Sequence, residues 1–323
     1  MTTFENRVYG IIGISSKMAN WNADFTGYPK SLSNGDVFAS DKALKYTMKK
    51  QWENEGEKIL YLKSFIIGDE GYLKPRTLKE RYEQLFDVTL TTGKKGESEL
   101  ILKNLFSATD VKNFGATFAE AKNNISITGA VQITQGMNKY EDTIANDQQI
   151  LSPFRDPKAK EKSKSSKEEG EEAKSSTLGN KIVSEEAHYF YSFVINPLAY
   201  KEYIDLGVTD GYTGEDYKKF KNVAINSATS FATNAKAGAD NEFAMFVVCE
   251  QDTYLPNLSD YIAFEKTPND EKDQIIFKGG HILEDRKDVL DIEIYYNHML
   301  LDLVHFPTNI KKYDIFTKRP VEE

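Results

Sequence analysis

The uninterrupted apolar run from Phe243 to Cys249 constrains the fold more than any other stretch of the chain. It is far shorter than the about 20 apolar residues that a membrane-spanning helix needs. Its β-branched and aromatic residues favour a strand, and a strand without polar positions has to be covered on both faces. We therefore expect this run to be a buried strand inside a layered structure, and we expect no segment to cross a membrane.

The first 67 residues predict the order strand, helix, strand. A long polar loop separates the first strand from the helix, and a loop of such length is usually functional or flexible. Ser40 or Asp41 is a suitable N-cap for the helix, and Gly56 is a suitable stop. The predicted elements are a strand over Asn6–Ser16, the loop over Lys17–Gly35, a brief strand over Val37–Ala39, the helix to about Glu55 and a strand over Ile59–Ile67.

The remaining chain predicts further strands and helices around one unusual insertion. The tract Lys158–Lys174 consists mostly of Lys, Glu and Ser, so we expect a disordered or solvated loop tip. Two strand–helix–strand units separated by insertions predict an α+β fold with an RRM-like (ferredoxin-like) sheet. The predicted elements are helices over Arg76–Phe86 and Gly214–Gly238 and strands over Ile125–Thr134, Ala187–Ile195, Ile275–Phe277 and Leu290–Tyr295, with Glu99–Phe106 ambiguous.

Composition narrows the class of protein. Apolar residues make up 40% of the 323-residue chain, which is enough for a sizeable core. Cys249 is the single cysteine, which excludes an internal disulfide framework and a thiolate metal cage and fits a reducing compartment. The first residues lack a signal-peptide pattern. We therefore expect a cytoplasmic protein.

The net charge of −9 argues at first sight against binding to nucleic acid, because Lys and Arg neutralise phosphates. The acidic excess, however, lies after residue 182, whereas the N-terminal part is slightly basic. The N-terminal part is therefore available for a basic surface. The acidic C-terminal part predicts either improved solubility or a surface for a basic neighbour.

Motifs for catalysis are weak. The histidines do not have the paired spacing of a zincin, and the chain has neither a phosphate-binding P-loop nor a nucleophile elbow. Asp24, Asp36 and Asp41 could hold a divalent cation, but isolated loop carboxylates are more often turn or cap residues. We therefore expect no catalytic residue, no metal site and no cofactor.

The helix after Asp41 has a basic face. Projection at about 100° per residue places Lys42, Lys45 and Lys49 in one narrow sector. A separate stripe, formed by Leu44, Met48 and Trp52, is suited to packing on a sheet. A row of ammonium groups along a helix can contact successive phosphates of one strand. The alternative is a solvated lysine face, which the helix alone favours.

Two neighbouring features add weight to a nucleic-acid surface. Lys17, Asn20 and Asn22 begin the polar loop, and amides and backbone N–H groups in such a loop can hold phosphate or 2′-hydroxyl groups. The aromatic strand His188–Phe193 offers rings that could stack on bases in an RRM-like sheet. Ordinary core packing is the alternative role for these rings.

Three stretches, in the same order along the chain, resemble the backbone subunits of type I CRISPR Cascade complexes, the Cas7 family, most closely those of type I-B. The first is the polar loop with the helix pattern Asp-x-x-Leu-Lys-x-x-x-Lys, which covers residues 20–50. The second pairs Phe114-Gly115-Ala116 with the Thr-Gly-x-Val-Gln pattern that begins at Thr128. The third runs from Ser176-Thr177-Leu178-Gly179 into the strand that ends at Asn196-Pro197.

The resemblance implies a fold and a function. An RRM-like palm would carry fingers and thumb insertions, and copies of the chain would polymerise along a CRISPR RNA and present its spacer to target DNA. Other Cascade subunits and a helicase–nuclease would complete the complex, with no catalysis by this chain. The implied division is residues 1–67 and 187–323 for the two halves of the palm, 68–124 for the fingers, 125–139 for a palm strand and 140–186 for the thumb.

The resemblance also implies the contact residues. Asn22, Lys42, Lys45 and Lys49 would hold the RNA backbone, together with the loop residues Lys17 and Asn20, while Gln132 and Met137 would line the base side. A metal-dependent, guide-directed ribonuclease of the type III backbone kind, using Asp24 and Asp36, is the alternative. A third hypothesis is a protein-only assembly module whose acidic C-terminal part docks a basic partner.

Overall fold

The computed structural model describes residues 3–91, 97–155, 175–268 and 271–322, with side chains described outside 151–155 and 175–178. Its helices are α1 (Asp41–Asn54), α2 (Leu78–Phe86), α3 (Glu97–Ser107), α4 (Thr109–Phe114), α5 (Lys201–Asp205), α6 (Gly214–Asn226) and α7 (Gly280–Leu283). Its strands are β1 (Arg7–Ala19), β2 (Phe38–Ala39), β3 (Phe65–Ile67), β4 (Leu73–Pro75), β5 (Gly115–Phe118), β6 (Ile125–Thr128), β7 (Val131–Ile133), β8 (Gly136–Asn138), β9 (Ala145–Arg155), β10 (Ser175–Ile195), β11 (Ala239–Cys249), β12 (Ile262–Glu265), β13 (Asp273–Phe277), β14 (Val289–Tyr296), β15 (Leu301–Val304) and β16 (Lys311–Asp314).

One mixed sheet organises the described part of the chain. Its strand order is β16-β14-β11-β1-β10-β8-β2, and β7 and β9 also pair with β10. β1 lies in the middle and pairs antiparallel with both neighbours, so that Ile11 lies opposite Ser192 on one side and Met245 on the other. Except for the parallel pair β14–β16, the neighbouring strands of this sheet run antiparallel. The predicted α+β class is confirmed.

Both faces of the sheet are covered, as the apolar run in β11 predicts. Alternate side chains of a strand point to opposite faces. Phe246 packs with Ile12 and with the buried stripes of α1 and α6 on one face. Met245 and Val247 pack with Ile11 and with the small sheet β12-β13-β15 on the other face. The stripe predicted for α1, Leu44, Met48 and Trp52, is fully buried against the first of these faces.

The strand predicted over residues 59–67 is wrong for most of its length. Only Phe65–Ile67 is extended, and it pairs with β4 in an isolated two-stranded hairpin. Ile59, Leu60 and Leu62 are buried, but the segment is irregular. The reason is that Leu60 N and Tyr61 N donate to the carboxylate of Asp110, at 2.9 and 2.8 Å, rather than to a neighbouring strand. A side chain 50 residues away therefore decides the local backbone structure.

The single strand predicted over residues 125–134 is also wrong, because the chain changes sheets in its middle. β6 pairs with β5, whereas β7 pairs with β10. The change occurs at Gly129, where a Cβ atom would lie 2.2 Å from the carbonyl carbon of Phe114 and 2.4 Å from Gly115 N. Two glycine-containing stretches that are separate in sequence thus meet backbone to backbone.

The helix predicted over residues 214–238 ends at Asn226 instead. The buried amide of Asn241 explains the stop, since its Nδ2 donates to Ala224 O at 2.9 Å and its Oδ1 accepts from Ala228 N at 2.7 Å. One side chain on β11 therefore satisfies a carbonyl near the helix end and an amide just beyond it. The following residues form exposed turns that lead back to β11.

The aromatic strand does not offer its rings to a ligand. The side chains over His188–Phe193 lie in β10 with exposures of 5% or less. Tyr189, Tyr191 and Phe193 face the helical layer, and Phe190 faces the other core. The stacking interpretation of this strand is therefore wrong, and core packing is its role. The Lys158–Lys174 tract lies outside the described residues.

No helix among the described residues is long and apolar enough to cross a membrane.

The close approach at Gly129 generates a stability prediction. Gly129→Ala places a methyl group against the backbone of residues 113–115, and we expect it to lower the free energy of unfolding by about 3 kcal/mol. Gly214→Ala is the matched control, because its Cβ meets no atom within 4 Å, and its effect should stay within about 0.5 kcal/mol. Urea unfolding of both variants tests this; equal midpoints would contradict it.

Candidate nucleic-acid interface

The polar loop after β1 is an ordered ribbon rather than a flexible connection. Lys30 N donates to Asn22 O at 3.0 Å, and Phe38 N donates to Lys30 O at 2.9 Å, so the chain doubles back twice. Leu32 N donates to Asp36 O at 2.9 Å, and this hydrogen bond closes the second turn. The loop therefore presents fixed side chains, which is the arrangement a binding surface requires.

Asn20 and Trp21 anchor this ribbon to the sheet. The indole N–H of Trp21 donates to the Tyr191 hydroxyl at 2.7 Å inside the core. The amide of Asn20 donates to Gly27 O at 2.8 Å and to Ile182 O at 3.2 Å, which joins the ribbon to β10. Asn20 is 6% exposed, so its side chain supports the loop from beneath.

Asn22 ties the ribbon to the start of α1. Its Oδ1 accepts from Ser40 N at 2.8 Å and from the Ser40 hydroxyl at 2.9 Å. Ser40 is the N-cap residue, as predicted, but its side chain makes no capping bond to the helix. Because Asn22 holds the residue that begins α1, the ribbon and the basic helix form one unit.

The three predicted lysines of α1 have different surroundings. Lys42 is exposed and has no ion-pair partner within the described residues. Lys45 Nζ lies 2.8 Å from Asp41 Oδ2 and 5.2 Å from the centre of the Phe114 ring. The helix therefore offers one free ammonium group beside one that is already neutralised.

Lys49 is largely enclosed, as Lys45 is, with side-chain exposures of 17% and 16%. Its Nζ lies 3.7 Å from Asp110 Oδ2 and donates to Tyr61 O at 3.3 Å. Burial lowers the pKa of Lys49, and the Asp110 carboxylate only partly opposes that shift. Lys49 is thus committed to the packing of α1 on the segment around Tyr61.

Met137 and Gln132, the predicted base-side residues, lie on different strands. Met137 is half-buried on β8, pairs with Phe38 of β2 and lines a groove of about 810 Å³. Gln132 is exposed on β7, where its amide donates to Gly129 O at 2.8 Å. The groove also contains three lysines that sequence analysis did not single out: Lys139, Lys266 and Lys278.

Lys17 belongs to an ion cluster at the root of the β9–β10 ribbon, in which the carboxylates and the imidazole are largely buried and the lysines are exposed. Its Nζ lies 2.9 Å from Glu186, which also accepts from Lys266. His188 lies between Glu186, at 3.3 Å from Nε2, and Glu242, at 2.8 Å from Nδ1. Burial opposes the charge on this imidazole, but Glu242 and Glu186 outweigh it and raise the pKa of His188 to about 9.

The predicted residues therefore lie in several separate places rather than in one continuous site. Asn22, Lys42 and Lys45 lie together at the start of α1. Gln135, two residues before Met137, connects that place to β8 because its amide lies 3.4 Å from Asp41 Oδ1. Lys17, Asn20 and the ion cluster lie where β1 meets the ribbon, Lys49 lies farther along α1 against Asp110, and Gln132 lies apart on β7.

Lys236 is a candidate contact that sequence analysis missed. Its Nζ lies 4.4 Å from the centre of the Trp21 ring and donates to Trp21 O. Burial lowers the pKa of Lys236 to about 8. The sequence placed this residue on a long helix, and only the helix stop at Asn226 brings it to the polar loop.

The geometry can be compared with known proteins. The model of the family described as CRISPR-associated protein Cas7 matches residues 6–278. The chain belongs to this family. The match confirms the family predicted from the loop, glycine and strand motifs, and it agrees with the prediction of a binding subunit rather than an enzyme. No curated protein matches the sequence.

Two solved structures with a similar fold are chains of CRISPR complexes. A chain of a pre-nicking CRISPR RNA-guided surveillance complex matches with a TM-score of 0.54 at 11% identity, covering 95% of this Cas7-family chain and 96% of its own length. A chain of a second CRISPR RNA-guided surveillance complex matches with a TM-score of 0.53 at 13% identity, covering 95% and 94%. At these identities the likeness shows a shared fold over nearly the whole chain.

The ion cluster around His188 generates a pH prediction. A raised histidine pKa contributes stability that is complete below pH 6.5 and is lost as the pH rises through 9. The difference in unfolding free energy between wild type and His188→Gln should therefore shrink by up to about 3 kcal/mol over this interval. Urea unfolding across pH 6–10 measures it. The exposed His281→Gln is the control, and a pH-independent difference for His188→Gln would contradict the prediction.

Proposed function

We propose that this chain is a non-catalytic backbone subunit of a type I CRISPR effector complex that binds guide RNA, polymerises along its spacer and presents it for pairing with target DNA. Family membership over residues 6–278 supports the proposal, as does a fold shared with chains of RNA-guided surveillance complexes. Further copies of the chain, other Cascade subunits and a helicase–nuclease are the proposed partners, in the cytoplasm. Type I-B stays the predicted subtype.

The strand connections support an RRM-like (ferredoxin-like) palm. The chain passes from β1 through α1 to β7 and β8, then to β10, through α6 and back to β11. The spatial order of these strands is β11-β1-β10-β8, with both helices on one face. This is the split βαβ arrangement of ferredoxin-like folds. The partner strand of β10 comes from residues 131–138, which lie within the stretch 125–139 that we assign to a palm strand.

The insertions of the proposed palm follow from the same connections. Residues between α1 and β7 contain α2, α3, α4 and two small hairpins, and we assign residues 68–124 of this region to the fingers. The β9–β10 ribbon lies between β8 and the part of β10 that pairs with β1, and we assign it to the thumb, over residues 140–186.

The observation that carries the RNA-binding proposal is the bond between Asn22 and Ser40. It makes the ordered ribbon and the basic start of α1 one rigid surface, which a flexible loop could not provide. Lys42 is free to contact a phosphate, and Lys45 can do so by releasing Asp41. We propose that Lys17 and Met137 extend this surface and that Asn20 supports it from beneath. Gln132 would contact the RNA separately, from β7, and Lys49 acts mainly through its packing against Asp110.

No observation favours the ribonuclease alternative. The carboxylate of Asp24 accepts bonds from Thr26 N and its hydroxyl, both at 2.7 Å, and that of Asp36 accepts from Asn34 at 2.8 Å. Both aspartates therefore act as turn residues. The described residues contain no group of three or more His, Cys, Asp or Glu side chains placed to hold a metal ion.

Binding of a repeat–spacer RNA at several salt concentrations tests the proposal. Replacing Lys42 and Lys45 by Gln should weaken binding and reduce the slope of log K against log salt by about 0.7 for each lost phosphate contact. The exposed Lys201→Gln on α5 is the control and should leave the slope unchanged. A slope that is the same in the double variant and in wild type would contradict the assignment of these lysines.

The same incubation with magnesium separates the function classes. RNA that stays intact and shifts in discrete steps supports a polymerising guide binder. Cleavage at regular spacing, abolished in Asp24→Ala, would overturn the non-catalytic assignment in favour of the ribonuclease. A stable complex with a basic protein partner that survives nuclease treatment, without any RNA shift, would support the protein-only assembly module instead.

A further inference from the structure

Phe25 is unusually exposed for an aromatic side chain. Its relative exposure is 111%, whereas the next most exposed large hydrophobic side chain of the described residues, Tyr72, reaches 74%. A phenylalanine ring without neighbours forgoes the free energy that burial would provide, about 2 kcal/mol. The ring lies at the tip of the first turn of the polar ribbon, three residues beyond Asn22.

The turn that carries Phe25 is held rigidly by its own hydrogen bonds. Asp24 Oδ1 accepts from Thr26 N at 2.7 Å and from Tyr28 N at 3.2 Å, and Asp24 N donates to Tyr28 O at 2.8 Å. Gly27 adopts a φ of +92°, which a residue with a side chain rarely adopts. The backbone that carries the ring is therefore held in place before any ligand arrives.

The turn is also fixed to the body of the protein. Gly27 O accepts from the amide of Asn20, which in turn donates to Ile182 O of β10. Residue 25 is three positions beyond Asn22 on this ribbon. The turn that carries the ring and the proposed backbone contacts are thus parts of one rigid unit.

The surroundings of the ring favour a nucleobase over a protein. Ala23, Asp24 and Thr26 are all exposed around it, and two of them are polar. A stable protein interface needs about 800 Å² on each partner with an apolar centre, which Phe25 and the partly exposed Tyr28 of the same turn do not offer. Stacking on a base needs only the flat face of the ring and contributes about 1–3 kcal/mol for each base.

We propose that Phe25 is a stacking platform for a base of the bound guide RNA. The inference rests on the proposed function, because it requires RNA to run along the polar ribbon and the start of α1. Stacking differs from phosphate contact in its salt dependence, since a ring releases no counterions. Loss of the ring should therefore weaken binding without changing the salt slope, whereas loss of Lys42 should change the slope.

Guide RNAs carrying 2-aminopurine at single spacer positions test the proposal, because stacking quenches this fluorescent base. With wild-type protein we expect quenching at certain positions. Phe25→Ala and Phe25→Leu should abolish that quenching and weaken RNA binding about tenfold at unchanged salt slope. Phe25→Tyr should retain both. Tyr254→Ala, which removes another exposed aromatic ring, is the matched control.

The outcomes separate the inference from the proposed function. If wild type does not bind the RNA, the proposed function fails and the stacking platform fails with it. If wild type binds and Phe25→Ala matches it in affinity and quenching, only the stacking platform is overturned. If Phe25→Leu behaves as wild type while Phe25→Ala does not, the ring occupies an apolar pocket on a neighbouring protein, and stacking is likewise overturned.

Discussion

The pairing of β1 with both β10 and β11 is the constraint on which the rest of the structure depends. β1 lies in the middle of the main sheet and contributes to the core on each face. Gly10 makes this possible, because a Cβ there would lie 2.1 Å from Met245 O and 2.4 Å from the Phe193 ring. The polar ribbon starts directly where β1 ends, so the packing of the sheet sets the position of the candidate interface.

The candidate interface is built mainly by polar groups that form hydrogen bonds within the protein. Asn20 and Asn22 were predicted as RNA contacts, and the structure gives them internal partners on Gly27 and Ser40. These bonds fix the loop geometry, although the buried Oδ1 of Asn20 accepts no hydrogen bond within the described residues. The groups that can contact RNA without first breaking an internal ion pair include Lys42, the outer face of the ribbon and the ring of Phe25.

Elements with a local cause could be predicted from the sequence, and those with a distant cause could not. The apolar run of β11, the strand before residue 16 and the stripe of α1 depend on residues within each element. The irregular segment around Leu60, the sheet change at Gly129 and the end of α6 depend on Asp110, Gly115 and Asn241, which lie elsewhere in the chain. The candidate site divides in the same way. The sequence showed which residue types the loop and helix carry, but it showed neither the side chains and carbonyls that they bond to nor the contribution of Lys236.

β10 continues as one strand from the β9–β10 ribbon into the main sheet. The strand runs from Ser175 to Ile195, and Ser184 pairs with Ala145 of the ribbon and with Ala19 of β1 at the same time. Among its described pairs with β9 and β1, register shifts occur only between Ser175 and Gly179. A force on the β9–β10 ribbon is therefore transmitted to the centre of the main sheet as it would be through a stiff lever. Since β1 continues into the polar ribbon, a displacement of the β9–β10 ribbon at one end reaches the candidate interface at the other end.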